Sequence, residues 1–397
     1  MTYVKLAFLY ILTLLAFPFC TQSCNKGGPG VNVDDPVVVP PVTDTTTTTP
    51  PPNTNSSVMK FEITFESDPG NAKVTVANLK YNKSGWASVE WDDNSPQALK
   101  GFRLLKNKTY SDGCGNNIAY TASLAVNGFN QFLCEEVAGI PENVNYNQMK
   151  ELIAGGWDIV NHSYYHNPTG NCGYGENWDR NIKELDELIH KKIDYKMNGS
   201  VVPTNYSGFP TAAQKFGYLF SSSQGTFDTY APGAVPTYKE YFNFDLAPKN
   251  FSAFGRIFYD DWAQLETSVK NALQETANRS NFYFRFASHT IDETIFSRML
   301  NSFSTISNDR LLFISTREIM EYRIVASQPV KSEKKGNSLI VEIDGSKIPE
   351  RFRWRDLSFL VTGDSKIASV NMVSGIDKTS FNPATGLVNI FKQKTAW

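Results

Sequence analysis

From Trp86 to Ala326 the chain alternates short apolar runs with longer amphipathic stretches, and this alternation restricts the fold more than any other feature. Trp86–Trp91, Trp157–Val160, Val201-Val202, Tyr218–Ser221, Asn281–Ser288 and Leu311–Ile314 read as strands. Gln148–Ala154, Trp178–Lys192, Thr211–Phe216, Trp262–Ala277, Glu293–Phe303 and Thr316–Ala326 read as helices. In the second helix Ile182, Leu185, Leu188 and Ile189 form one stripe, and Gly155-Gly156 stops the first. Strands that alternate with helices build a parallel sheet. The expected fold class is therefore α/β, a distorted (β/α) barrel. In such a barrel, chemistry gathers at the C-terminal ends of the strands.

The barrel is expected over residues 58–327, with Lys60–Phe65 and Lys73–Val76 as its first strands. Residues 107–146, rich in Gly, Asn and Tyr, read as a long insertion. Past Val330 the helical stripes stop. Leu339–Ile343, Arg353–Leu360, Lys366–Val373 and Gly386–Phe391 look like strands joined by polar turns, so 328–397 is expected to be a small all-β domain, a sandwich.

Residues 1–24 have the texture of an export signal: Lys5 precedes an apolar run from Leu6 to Phe19 that is too short for a comfortable membrane span. Cys20 and Cys24 follow, and small Ser23 makes Cys24 the better lipid-anchor position. This resembles a bacterial lipoprotein signal of the Bacteroidetes type, with ordinary cleavage near Ser23 as the alternative. It implies an exported, envelope-located protein held by lipid at the membrane without spanning it. Residues 25–57, with Thr45–Thr49 and Pro50–Pro52, cannot bury apolar surface and read as a tether. Export permits disulfides. Cys114 and Cys134 share the insertion and are expected to pair; with Cys172 the count is odd, which leaves one thiol over. A net charge of −2 gives no reason to expect a nucleic-acid partner. The 13% aromatic content suits carbohydrate contact and equally suits a packed core.

The chain has four histidines, and His162 and His166 stand four apart. On a helical turn that spacing places two side chains on one face, about 6 Å apart at Cβ. Two imidazoles and a carboxylate can hold a divalent metal and leave a position open, which is the catalytic kind of site. Asp92-Asp93, His162 and His289 all fall at the ends of expected strands. His190 lies on a helix beside Lys191-Lys192 and receives no role.

In this order the residues resemble the polysaccharide deacetylase family, or carbohydrate esterase family four, over roughly residues 60–325. The family's Thr-Phe-Asp-Asp-Gly corresponds to Glu90-Trp91-Asp92-Asp93-Asn94, and its His-Ser/Thr-x-x-His is complete as His162–His166. Gly156–Asn161 resembles the family's Gly-His-Glu-Ile-Gly-Asn, and its late Leu-x-His matches Phe286–His289 in the histidine. The resemblance implies that Asp93, His162 and His166 bind the metal, zinc by default, with cobalt, nickel or iron also compatible. It implies Asp92 as general base, His289 as general acid and the Tyr206 N–H as an oxyanion donor. Asp261 and Trp262 would tune His289. The third motif, Arg-x-Pro-Tyr, departs here to Val201–Tyr206 without its arginine. Arg256 or Arg285 would have to replace it. Asn94 replaces a glycine and tolerates a left-handed conformation.

The implied activity is metal-dependent removal of acetyl groups from an N- or O-acetylated glycan. Two other readings stay open: a carbohydrate-binding lipoprotein that has lost turnover, and an amide hydrolase for a small non-sugar substrate.

Overall fold

The computed structural model describes residues 57–130, 132–166, 172, 175, 177–206, 208–224, 250–276, 279–395 and 397. The expected export signal, Cys20, Cys24 and nearly all of the expected tether lie outside them. Residues 51–397 form one compact unit. Among the described residues no helix is long and apolar enough to cross a membrane.

The described chain opens with β1 (Val58–Phe65) and β2 (Lys73–Val76). The barrel follows: β3 (Gly85–Trp91), α1 (Gln97–Leu105), a hairpin of β4 (Thr109–Ser111) and β5 (Asn117–Ala119), then β6 (Ser123–Val126). Next come α2 (Tyr146–Ala154), β7 (Asp158–Asn161), α3 (Trp178–Ile193), β8 (Gly199–Val201), α4 (Gly208–Phe216) and β9 (Phe220–Ser223). The remainder is β10 (Ser252–Gly255), β11 (Ile257–Phe258), α5 (Trp262–Thr276), β12 (Phe282–Ser288), α6 (Glu293–Ser307), β13 (Leu311–Phe313) and α7 (Thr316–Ala326).

The strand order is β10-β9-β8-β7-β6-β3-β12-β11, all parallel, with β13 beside the start of β3. The two edge strands, β10 and β11, are consecutive in the chain and separated by Arg256 alone. The sheet therefore curls until its edges meet, as expected of a (β/α) barrel. β6 was hidden inside the expected insertion; four residues give too little pattern to mark a strand.

β3 is buried at all seven positions, as a strand covered on both faces must be. Trp91 faces the helices, stacked 5.5 Å from Trp157 and edge-on to Phe296. Gly101 of α1 is required there, since a Cβ would fall 2.4 Å from the Trp91 ring. The opposite face of β3 fills the barrel. Trp86 stacks on Tyr283 at 5.1 Å and Phe254 meets both edge-on, closing the N-terminal end.

The first two strands do not join the barrel as expected. β1 pairs with β15 (Ser338–Asp344) and β17 (Ile367–Ser374), and β2 with β16 (Leu357–Thr362). With β14 (Val330–Lys335), β18 (Lys378–Asn382) and β19 (Leu387–Phe391) they build two four-stranded antiparallel sheets. The reason is periodicity. Met59, Phe61, Ile63 and Phe65 are buried, while Lys60, Glu62 and Thr64 between them are half-buried. That alternation suits a sheet with one covered face, not the barrel. Phe61 meets Phe359 of the second sheet at 5.2 Å. Cys134 pairs with Cys172, not with Cys114, which remains a free thiol. Cys114 instead sits where the β4–β5 hairpin meets the C-terminal sheet, 3.2 Å from the Asn389 amide.

Buried charges join barrel to sandwich. Lys80 donates to Glu318 of α7 at 2.5 Å and to Asp356 at 2.6 Å. Glu321 of α7 accepts the N–H groups of Arg353 and Trp354 at 2.9 and 2.8 Å. A chain cut after residue 327 loses every partner strand of β1 and β2. It is expected to be insoluble or to lack a cooperative melt, measured by circular dichroism; a cooperatively folded 58–327 fragment would contradict the shared sandwich.

Candidate metal centre

The end of β3 carries the acidic pair. Asp93 and Asn94 both have positive φ, 61° and 53°, a turn that Asp and Asn tolerate better than most residues. Asn94 is fixed by accepting the Asn127 N–H at 2.6 Å through its side chain. The turn separates the two carboxylates: Asp92 stays in the barrel and Asp93 moves to its open end.

β7 delivers the histidines, but on a loop and not on the helical turn that the spacing suggests. Ser163 has φ 69°, its N–H donates to the Asn161 side chain at 2.9 Å, and its hydroxyl donates to the Tyr165 carbonyl. This tight loop brings the His162 and His166 rings to 5.1 Å between centroids. Asn127 donates to the His162 carbonyl and braces the same turn.

Asp93, His162 and His166 come together. The Nε2 atoms of His162 and His166 lie 3.3 and 3.4 Å from one oxygen, Asp93 Oδ1, and potential ligand atoms of the three lie within 4.8 Å of one another. That oxygen is shielded from solvent. His162 Nδ1 lies 2.9 Å from the Val201 carbonyl. A carbonyl only accepts, so Nδ1 carries the proton, and in neutral His162 the Nε2 lone pair faces the carboxylate. Two acceptors so placed repel unless a proton or a cation stands between them, and second-partner fixing of the tautomer is typical of metal-ligating histidine.

The charges reflect this crowding. Burial pushes the Asp93 carboxyl up, but the three imidazoles around it, His162 first, outweigh that and hold it well below the usual carboxylate range. Burial favours neutral His162, yet Asp93 and Asp92 overcome it and raise its pKa. His166 is pushed down to about 4 by burial first and by His162 second.

His289, at the end of β12, points Nε2 at Asp93 Oδ2 from 3.4 Å. Its Nδ1 lies 2.9 Å from Asp260 Oδ2. Asp260, not the expected Asp261, is the partner. Asp261 instead accepts N–H groups at the start of α5 through its side chain. Burial raises the Asp260 carboxyl less than its bonds to His289 lower it. The Trp262 indole N–H donates to Thr290 at 3.1 Å, and the Phe258 ring meets His289 edge-on at 5.0 Å. The Tyr206 N–H, expected as an oxyanion donor, is directed to the Pro203 carbonyl at 3.3 Å, and its ring packs on Trp178.

Of the two arginines expected as substitutes, Arg256 is the one that reaches Asp92. It grips both oxygens of Asp92, at 2.8 and 2.5 Å, and reaches Glu90 at 3.2 Å. Arg285 donates to the other Glu90 oxygen and, at 2.8 Å, to Thr316. All four charged side chains are buried.

No family model matches the chain, and no curated protein matches it in sequence. The solved structures it matches include family 4 carbohydrate esterases and polysaccharide deacetylases. A family 4 carbohydrate esterase from Streptomyces lividans, solved with acetate, is 13% identical, with 58% of this chain and 92% of that chain covered and a TM-score of 0.34. A polysaccharide deacetylase from Bacillus cereus is 12% identical, with 59% and 91% covered and a TM-score of 0.34. A pseudoenzyme of the same esterase family from Bacillus anthracis is 11% identical, with 60% and 66% covered and a TM-score of 0.36.

Arg256→Met would leave Asp92 buried without its cation. Breaking a buried ion pair costs about 3–5 kcal/mol, so urea denaturation should show a loss of that order. A loss below about 1 kcal/mol, the range of a surface pair, would contradict the pairing.

Proposed function

We propose that the protein is a metal-dependent hydrolase that removes acetyl groups from an acetylated glycan, of the polysaccharide deacetylase kind. One observation carries this reading: His162, with Nδ1 held by the Val201 carbonyl, turns Nε2 toward the same buried Asp93 oxygen that His166 Nε2 faces. Asp93, His162 and His166 would hold the cation, and a donor set of two imidazoles and a carboxylate favours zinc. When bound, such a cation polarises an acyl carbonyl and acidifies water.

The protein's own groups divide the remaining work. Asp92 takes the proton of the attacking water as its oxygen joins the acyl carbon. Arg256 fixes the orientation of that carboxylate. His289, positioned by Asp260, delivers a proton to the leaving nitrogen or oxygen as the acyl bond breaks. We place the protein at the cell envelope, anchored by lipid at Cys24, because residues 1–24 resemble a lipoprotein signal.

Asp92→Asn should keep zinc affinity within about threefold and lower kcat for acetate release by about 100-fold to 10,000-fold, the usual worth of a general base. An unchanged kcat would remove Asp92 from the chemistry. Zinc must displace the proton that His162 holds with raised affinity, whereas His166 is already neutral above about pH 4. Zinc affinity, measured by chelator competition, should therefore fall about tenfold per pH unit below the His162 pKa. Affinity independent of pH through the histidine range would contradict the ligand set.

A further inference from the structure

Packing does little to hold Asp260 and His289, the proposed proton-delivering pair. Their side chains are 46% and 39% exposed. Asp260 stands in the loop between β11 and α5, and His289 in the turn that follows β12. An exposed ion pair keeps its geometry poorly by itself. Bonds centred on Thr290, the next residue of that turn, supply what packing does not.

Two indoles grip Thr290. The Trp91 indole N–H donates to its carbonyl at 3.1 Å, and the Trp262 indole N–H donates to its hydroxyl oxygen, also at 3.1 Å. Both indoles are buried, and both meet Phe296 of α6 edge-on, at 5.6 and 5.4 Å. A buried indole N–H needs an acceptor, so the grip suits both sides. The Thr290 hydroxyl lies 3.2 Å from the Asp260 carbonyl, which only accepts, so the hydroxyl proton goes there. Ser288 adds a second tie: its hydroxyl donates to Asp260 Oδ1 at 3.0 Å and accepts the Thr290 N–H at 3.1 Å. Oδ1 also accepts the His289 N–H at 2.8 Å, which leaves Oδ2 to face His289 Nδ1 at 2.9 Å. Thr290 is itself exposed, so its side chain is not there to fill the core.

We infer that Thr290 is a positioning residue: by tying the Asp260 backbone to two buried indoles it holds the Asp260 carboxylate against His289 Nδ1 and so aims Nε2 at the leaving atom. This inference rests on the proposed hydrolase reading and goes beyond the residues which that reading names. In the step it serves, the bond from the acyl carbon to the leaving nitrogen or oxygen breaks, and its electron pair stays on the leaving atom. The proton on His289 Nε2 passes to that atom, and His289 ends neutral with its Nδ1–H still donated to Asp260. A sugar amine or alcohol needs this proton to depart. 4-Nitrophenolate departs as a stable anion and does not. The contrast gives a readout that a merely structural role would not move.

The test uses the zinc-loaded protein and two acetyl donors: 4-nitrophenyl acetate, and a chitin tetrasaccharide or acetylated xylotriose, whichever the parent turns over faster. In Thr290→Val, kcat on the saccharide should fall about 10-fold to 100-fold, the scale of a slightly misplaced catalytic group, with KM within about twofold. The aryl-ester kcat should fall by less than about threefold, since its leaving group needs no acid. Thr290→Ser keeps the hydroxyl and should restore the saccharide rate. Should Thr290→Val fail to melt cooperatively, Ser288→Ala, which removes the hydroxyl bound to Asp260 Oδ1, is read in its place with the same selective loss expected. Equal losses on the two donors, or no loss on the saccharide, would overturn the inference. A parent that cleaves the aryl ester alone would overturn it while sparing the hydrolase reading. A parent that cleaves neither would take down both.

Discussion

Arg256 is the residue on which the rest of this structure turns. It is the single residue between the two edge strands of the sheet, so the barrel closes at its backbone. Its side chain spans the interior to Glu90 and Asp92, two carboxylates that β3 places on one face. Buried charges cost several kcal/mol each unless paired with good geometry. Arg285 completes the balance, with two arginines against two carboxylates in one enclosed layer. Below that layer the aromatic rings of Trp86, Tyr283 and Phe254 seal the barrel. Above it the chain opens to Asp93 and the histidines.

The charge layer and the open end do different work, and the Asp93-Asn94 turn divides them. Because both residues take left-handed φ, adjacent carboxylates face different surroundings. Asp92 is fixed by an arginine, and Asp93 is surrounded by imidazoles. Each imidazole whose Nδ1 has a partner is thereby aimed: His162 by the Val201 carbonyl and His289 by Asp260. That division suits acyl transfer to water, which needs cation ligands, a base and an acid within reach of one acyl group.

Much of this was legible in the chain, for physical reasons. Barrel strands are apolar on both faces and show as runs. Asp93, His162, His166 and His289 show because strand ends carry barrel chemistry and the histidines are few. The alternation of β1 was equally legible, and it pointed to a one-sided sheet and not to the barrel. Other features depend on approach through space. Arg256 stands 164 residues from Asp92, so spacing could name it only as one of two possibilities. Choosing Asp260 over Asp261 requires the course of the loop toward His289. The fate of the Tyr206 N–H depends on the turn at Pro203. The pairing of Cys134 with Cys172 depends on where the loop after His166 goes, and two loops of one site are closer in space than in sequence.

The chemistry proposed for this site requires Asp93, His162 and His166 to hold one divalent cation. The most direct measurement is elemental analysis of residues 58–397 purified without a histidine tag and exposed to zinc, beside the same chain carrying His166→Ala. About one ion per chain is expected in the parent, with loss of that ion in the variant. A parent that holds no metal after reconstitution, or a variant that keeps it, would rule out the three residues as its ligands.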